Sequence, residues 1–297
     1  MYTVPLTASS YSPPMGALQS RLWRPEAPKT TRETLPKTEI AYYPRALAIC
    51  TLPVRRPSEG QWTRRFGDCG LTLTSHGTDG LPYGQDRLIP LLLGTLAQRQ
   101  DSRFLSLGSA YQMLTMFGIA PDGRGYQRLE QRFERIGQVN FQVTRYHDGA
   151  ERTTAFRLFE ARSLWYNLRD RQSDVTQFVS SVTLTEEFWN ELRTDSLAVD
   201  LNVVKGLLHA PGNLDFYLWM TMRAQNVRRG RFTKAPLFGK ESLFEKFGGG
   251  YVQQRDFRKS VHDWLRNIRD LWLDCPAVLS TDGRYVLICN HRSPLGN

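Results

Sequence analysis

Two segments of the chain place polar and basic side chains along one side of an amphipathic helix. In the first segment, residues 126–136, Leu129, Phe133 and Ile136 have the spacing of one buried helical stripe. The far side carries the polar set Arg124, Gln127, Gln131 and Arg135, with Arg128 beside it. Arginine and glutamine on an exposed helix face can hydrogen-bond base edges in the major groove of DNA, while flanking cations hold phosphates. This segment is therefore a candidate DNA-contacting helix.

The second segment, residues 255–271, has the same construction. Its predicted apolar stripe consists of Phe257, Val261, Trp264, Ile268 and Leu271. The opposite side carries Arg255, Lys259, His262 and Arg266. The same segment also contains the carboxylates Asp256, Asp263 and Asp270. These count against a surface that only grips phosphate, and we expect them to accept hydrogen bonds from neighbouring arginines.

Each of these segments is followed by a hairpin pattern. VNFQVTRYHDGAERTTAFRLF alternates by two about His147-Asp148-Gly149, and CPAVLSTDGRYVLICNH turns at Asp282-Gly283. The cationic side chains near the two tips are Arg145, His147, Arg152 and Arg284. A short helix, a basic helix and a hairpin in this order are typical of a winged helix, whose hairpin touches the DNA backbone or minor groove. Arg145 and Arg284 are the predicted hairpin contacts.

A simpler interpretation of each basic helix is a solvated face, because a charged stripe on a helix usually has no other role. Two such helices, each after a short helix and before a hairpin, favour DNA contact over that interpretation.

Composition agrees with a polyanionic partner. The formal net charge is +10 and the pI about 9.6. The longest apolar run, LIPLLLGTLA, is too short to span a bilayer, and the N-terminus lacks the pattern of a secretory signal. The four cysteines form no CxxC pair, which predicts reduced thiols and a cytoplasmic protein. A disulfide between Cys275 and Cys289 is the less favoured alternative.

The chain divides by composition into an arm and two similar halves. Residues 1–38 are rich in Pro, Ser, Thr and charge, which predicts a disordered N-terminal arm. We predict strands at 45–52 and 71–75, helices at 88–100 and 109–117, and a buried aromatic helix at 214–224. A short helix is expected at 240–247. The overall prediction is an α+β fold of two tandem winged-helix domains, at 39–175 and 176–297, with the first domain as a possible dimerisation surface.

Four aromatic residues follow helical spacing beside apolar neighbours, namely Phe216, Tyr217, Trp219 and Trp264. Their spacing favours a core position over a platform for stacking bases.

Enzyme motifs are absent from the sequence. None of the five histidines forms a His-x-His pair, and no P-loop, HExxH, GxSxG or zinc-spaced cluster occurs. Asp200 and Asp215 are isolated, so no two-metal carboxylate site is indicated. We therefore expect a non-enzyme without metal or cofactor.

Several segments resemble one family. GLPYGQDRLIPLLLGTLAQRQ, LTEEFWNEL followed by AVDL, LDFYLWMTMRA and the closing run RDFRKSVHDWLRNIRDLW…CPA resemble RepA-type plasmid replication initiators over roughly residues 39–291. The resemblance implies a protein that binds double-stranded DNA at a plasmid origin, often at direct repeats. It also implies help in opening the duplex, recruitment of a host helicase or initiator protein, and a possible homodimer.

Two other functions remain open. A winged-helix transcriptional regulator would use the same parts, although no segment resembles a separate effector domain. A basic protein that binds nucleic acid without sequence choice would lose affinity for every sequence alike as salt rises. No membrane partner is predicted.

Overall fold

The computed structural model describes residues 39–75, 77–164 and 180–291. The predicted arm at 1–38 lies outside the described residues, as do the end of the first predicted domain at 165–175 and residues 292–297. The described residues between 39 and 291 belong to one compact unit.

The strands of the described part are β1 (Ile40–Pro44), β2 (Gln61–Phe66), β3 (Cys69–Ser75), β4 (Phe104–Gly108), β5 (Val139–His147), β6 (Ala150–Phe156), β7 (Phe159–Ser163), β8 (Ser180–Leu184), β9 (Ser196–Asp200), β10 (Phe232–Pro236), β11 (Ala277–Leu279) and β12 (Tyr285–Cys289). The helices are α1 (Arg45–Cys50), α2 (Leu88–Gln100), α3 (Ala110–Met116), α4 (Gly123–Gly137), α5 (Glu186–Thr194), α6 (Leu201–Leu207), α7 (Pro211–Asn226), α8 (Leu243–Phe247) and α9 (Gln254–Leu271). Nine helices and several sheets in the described residues confirm the predicted α+β class.

Helix α1 corrects the predicted strand at 45–52. The segment buries Ala46, Leu47, Ala48 and Cys50. A short and nearly continuous apolar run fits a buried helix as well as a buried strand, so periodicity does not separate the two. The extended residues directly precede α1 and form β1. Ile40 of β1 pairs with Asp200 of β9, and Pro44 pairs with Ser196.

Local chemistry places the helix ends close to the predicted ones. The hydroxyl of Ser109 accepts from the backbone N–H of Gln112 at 3.2 Å at the start of α3, and Gly118 follows its end with a φ of 68°. Helix α8 begins three positions later than expected. Gly239 and Glu241 have φ angles of 98° and 56°, which interrupt any helix before Ser242 caps α8.

Strands of the first half form one complete antiparallel sheet and two strands of a second. One has the order β2-β3-β5-β6, in which Ser75 of β3 pairs with Val139 of β5. Strands β5 and β6 form the predicted hairpin, with Asp148 and Gly149 at φ angles of 49° and 77°. The other sheet has the order β4-β8-β7.

The second half builds one small sheet, in the order β10-β12-β11. The predicted last hairpin is confirmed, since Ala277 of β11 pairs with Ile288 of β12 and Gly283 in the turn has a φ of 64°. Val286 and Ile288 of the central strand point into the core and are fully buried.

Element order repeats between the halves, but strand pairing does not. Strand β10 pairs with β12 of its own hairpin, whereas β4, its counterpart in the first half, pairs with β8. Strand β8 follows the predicted domain boundary at 175/176 yet lies between two strands that precede it. Strands β1 and β9 also pair across that boundary. The two-domain division stays a prediction.

An aromatic cluster joins α7 to the last two helices. The ring centroids of Phe216 and Trp264 are 5.6 Å apart, and those of Trp219 and Phe247 are 5.9 Å apart. Phe216, Tyr217 and Trp219 are buried, and Trp264 packs partly buried against them. Their predicted role as core residues is confirmed.

Candidate nucleic-acid interface

Helix α9 buries most of its predicted stripe. Phe257, Val261 and Ile268 are buried as expected. Two positions need correction: Leu265 is buried although it was not assigned to the stripe, and Leu271 is 44% exposed. Leu265 follows Val261 by one helical turn and therefore meets the same core, while Leu271 is the last residue of the helix.

The polar side of α9 is open to solvent as predicted. The side chains of Arg255, His262 and Arg266 are 81%, 65% and 61% exposed, and Lys259 is also exposed. The expected arginine–aspartate contacts occur, with Arg266 Nη2 at 2.9 Å from Asp263 Oδ1 and Arg255 Nε at 3.4 Å from Asp256 Oδ1. Exposed pairs of this kind contribute at most about 1 kcal/mol, so phosphate can displace the aspartates.

Arg284 lies in the turn of the last hairpin, between β11 and β12. Arg284 is 76% exposed, and its Nε lies 3.9 Å from Asp282 Oδ2. The Asp282 carboxylate accepts from the hydroxyl of Ser280 at 2.6 Å and from the backbone N–H of Arg284 at 3.0 Å. These hydrogen bonds lower the pKa of Asp282, the one from Ser280 most. The turn is thus ordered while the guanidinium stays available.

Helix α4 in the first half is exposed only over part of its predicted face. Leu129, Phe133 and Ile136 are buried as predicted. Four polar residues of the predicted contact set are exposed: Arg124, Gln127, Arg128 and Gln131.

Arg135, the fifth member of that set, is not free on the exposed side. Its Nη1 lies 2.6 Å from Oδ2 of Asp86, whose side chain is 3% exposed, and its guanidinium lies over the ring of Tyr83. Neighbouring Arg132, which the sequence pattern did not single out, is buried and donates to the side-chain oxygen of Gln85. Burial lowers the pKa of Arg132. The second half of α4 is therefore held by the segment that precedes α2.

Arg145 forms ion pairs with carboxylates, although its side chain is 37% exposed. Its Nη2 forms ion pairs with Glu191 and, at 3.4 Å, with Asp195, which lie on and directly after α5. Glu191 is almost fully buried, so the pair fastens the β5–β6 hairpin to α5. Of the other cations near this tip, His147 is 88% exposed and Arg152 is exposed.

The segments GLPYGQDR and LDFYLWMTMRA meet through a buried ion pair. Arg87 of GLPYGQDR donates from Nε to Asp215 Oδ1 at 2.7 Å and from Nη2 to Asp215 Oδ2 at 2.8 Å. Arg87 Nη2 also donates to the carbonyl of Leu52 at 3.0 Å. Burial raises the pKa of Asp215 and the nearby Arg87 opposes that shift. Asp215, which the sequence leaves isolated, has its partner 128 positions earlier, a separation that no local pattern encodes.

One loop that the sequence did not highlight lies beside both basic helices. Arg55 lies close to Gly250, in the turn before α9. A Cβ atom built on Gly250 would be 3.8 Å from Cζ of Arg55. The next residue, Arg56, lines a shallow cleft of about 490 Å³ together with Gln127 and Gln131 of α4. Both arginines are exposed. The run PVRRPSEG has the composition of an ordinary turn, so only the tertiary structure shows that these residues lie near α4 and the turn before α9.

Neither a metal-binding cluster nor a membrane-spanning helix occurs within residues 39–75, 77–164 and 180–291. Those residues contain no group of three or more His, Cys, Asp or Glu side chains that could hold a metal ion. None of their helices combines the length and apolar character needed to cross a bilayer. All four cysteines are free thiols.

The fold is similar to that of solved structures of RctB domains. A crystal structure of the selenomethionine derivatives of domains 2 and 3 of RctB superimposes with a TM-score of 0.50 at 15% identity, covering 75% of this chain and 85% of that one. A second structure, RctB residues 155–483, gives a TM-score of 0.49 at 14% identity, with 82% and 94% coverage. The first of these matches shows a similarity of fold.

The sequence carries the more specific finding. Residues 106–236 match the family model of plasmid encoded RepA proteins, so the predicted RepA-type resemblance is confirmed over that region. The matched region includes LTEEFWNEL, AVDL and LDFYLWMTMRA, and it excludes GLPYGQDR and the closing basic helix. No curated protein sequence matches the chain.

Proposed function

We propose that this chain is a plasmid replication initiator that binds double-stranded DNA at its origin. Three observations support the proposal: the family match at 106–236, the net charge of +10, and a pair of basic helices that remain largely exposed. Initiation requires a protein that recognises one site on a long polyanion, and exposed basic helices followed by hairpins suit that task.

The observation that carries the proposal is the topology around α9. In the second half, α7, β10, α8, α9, β11 and β12 follow in order, and the last strand pairs between the other two. We interpret this half as a winged helix, with α9 in the major groove and the β11–β12 turn against the backbone. Arg255, Lys259, His262 and Arg266 would contact the groove, and Arg284 a phosphate.

The first half supplies a second contact in this proposal. Arg124, Gln127, Arg128 and Gln131 of α4 would meet another stretch of the same duplex, as in recognition of direct repeats. Arg55 and Arg56 would hold phosphates between the two helices. We interpret this half as a winged-helix variant, because its hairpin extends the β2–β3 strands and does not pair with β4.

Further steps belong to the same proposal. Bound initiator would help open the duplex and recruit a host helicase or initiator protein in the cytoplasm, with homodimerisation through the first half. The protein would act through binding alone, without catalysis or cofactor.

DNase footprinting on DNA flanking its own gene tests this function. Purified protein is challenged with random duplex as competitor while the salt concentration is varied. Protection of regularly spaced direct repeats supports an initiator. Protection of one promoter palindrome favours the transcriptional regulator, and uniform protection that vanishes with salt leaves a non-specific basic protein. Lys259→Ala should reduce the protection of the repeats from DNase. Lys205→Ala, on the separate helix α6, serves as a control.

A further inference from the structure

The small sheet β10-β12-β11 has an outer face that no described residue covers completely. Its inner face carries the buried residues Ala235, Val286 and Ile288. On the outer face, Phe232 of β10 is 40% exposed and Tyr285 of β12 is 37% exposed. Because side chains alternate along a strand, these rings point away from the core that α9 helps to form.

A lysine lies between the two rings. Lys234 is on the same face of β10, and its Nζ is 5.9 Å from the ring centroids of both Phe232 and Tyr285. Tyr285 pairs with Pro236, four positions along β10 from Phe232, and the two 5.9 Å distances place the ring centroids no more than about 12 Å apart. The face therefore alternates aromatic, cation and aromatic groups over the length of a few nucleotides.

Arginines without acidic partners border this face. Arg223, at the end of α7, and the loop residues Arg228, Arg229 and Arg231 are exposed. Within the described ranges, none of the four has a carboxylate within 4.0 Å, which distinguishes them from Arg255 and Arg266 of α9. Arg223, Arg228 and Arg231 line a shallow cleft of about 280 Å³ together with Phe232. The border thus matches a negatively charged backbone.

We propose that this outer face binds single-stranded DNA. The inference rests on the proposed function, because an initiator that opens a duplex exposes unpaired bases beside itself. Phe232 and Tyr285 would stack on bases, Lys234 would lie between them, and the arginines would follow the phosphates. Bases of an intact duplex are stacked on one another and cannot reach the rings. An acidic protein segment would satisfy the cations but leave two exposed rings without a role.

Fluorescence anisotropy of a labelled oligothymidylate with the full chain tests this site. Phe232→Leu and Tyr285→Leu keep apolar volume and remove the rings, so each should weaken oligonucleotide binding roughly five- to hundred-fold. Phe232→Tyr should retain binding because it keeps a ring. Footprints on origin duplex should remain unchanged in all three. Tyr111→Leu is a matched control, because Tyr111 on α3 is 56% exposed and remote in sequence from the sheet.

The outcomes separate the two proposals. Wild-type protein that protects its origin but fails to bind oligothymidylate overturns this inference and leaves the initiator function standing. Equal losses in Phe232→Leu, Phe232→Tyr and Tyr111→Leu also overturn it. Oligonucleotide binding that depends on the two rings, in a protein without origin specificity, supports the inference as a binding site and overturns the initiator proposal.

Discussion

Helices α4 and α9 show how one sequence pattern acquires two different environments. Both are amphipathic and basic, follow a short helix and precede a hairpin. In α9, Arg255 and Arg266 form ion pairs with Asp256 and Asp263 of their own helix. In α4, Arg135 reaches a carboxylate that is almost fully buried and lies on a distant segment.

The difference teaches that a charged face does not reveal how much of it is free. Burial of the Asp86 carboxylate costs stability unless a cation pairs with it, and Arg135 supplies that cation. The first half therefore uses part of its basic helix to fasten the turn before α2. The second half keeps its basic face available, and instead buries an unpaired cation, Lys246 of α8.

The largest expected effect is on stability. It tests whether the Arg135–Asp86 ion pair holds α4 against the turn before α2. Asp86→Ala leaves Arg135 beside a buried site without its partner, and we expect the free energy of unfolding to fall by roughly 3–5 kcal/mol. Asp263→Ala removes the half-buried partner of the exposed Arg266 on α9 and should change the free energy of unfolding by less than about 0.5 kcal/mol. Urea unfolding followed by circular dichroism measures both. Equal losses would remove the distinction between the two helices.

The next effect is on duplex binding. Arg266→Ala should cost about 1–3 kcal/mol of binding free energy if it reads a base, and should leave the thermal midpoint unchanged. Titrations of origin duplex at several salt concentrations give the affinity and its salt slope. Arg128→Ala, on α4, is the matched variant. An Arg128→Ala protein that loses as much binding would indicate that α4, despite its fastening, contributes equally.

The third expected effect is the pH dependence contributed by Lys246. Burial lowers its pKa to about 7 from the usual 10.5, and its Nζ has no hydrogen-bond partner among the described residues. Between pH 7 and 8.5 the unfolded chain then holds more protons, so stability should rise with pH by up to about 1.4 kcal/mol per unit. Below pH 7 both states hold the proton and this contribution is flat.

Lys246→Met isolates that contribution. The variant keeps a long apolar stem over the ring of Phe66, from which Nζ is 4.2 Å distant in the native chain. Its stability should vary less between pH 7 and 8.5 than that of the wild type. Denaturant midpoints at several pH values check this, and parallel curves for the two proteins would contradict it.

The smallest expected effect concerns the loop between the helices. Arg55→Ala should lower the salt slope of origin binding by about 1 and change stability by less than about 0.5 kcal/mol, because the side chain is exposed. Arg193→Ala, an exposed arginine on α5, is the control. If the two variants bind origin DNA alike at every salt concentration, the loop lies outside the interface.

Sequence reasoning predicted most features that depend on near neighbours. Asp-Gly turns gave both hairpins, the Ser109 cap and Gly118 bounded α3, and helical spacing identified the buried residues of α4. It failed at α1, where a short apolar run fits two conformations. It also missed Arg55 and Arg56, whose composition resembles that of any turn. The two amphipathic helices can therefore be predicted from sequence pattern, whereas the position of Arg55 and Arg56 depends on which segments meet.

By itself the sequence determined the RepA-type resemblance, the α+β class and the two amphipathic helices, since these follow from composition and from periodicities of two and 3.6 residues. Tertiary structure alone decided that β4 pairs with β8, that Arg87 meets Asp215 and that Arg135 belongs to Asp86. The physical reason is distance along the chain. A turn or cap is satisfied within a few residues, whereas a buried charge takes whichever partner the folded core brings to it.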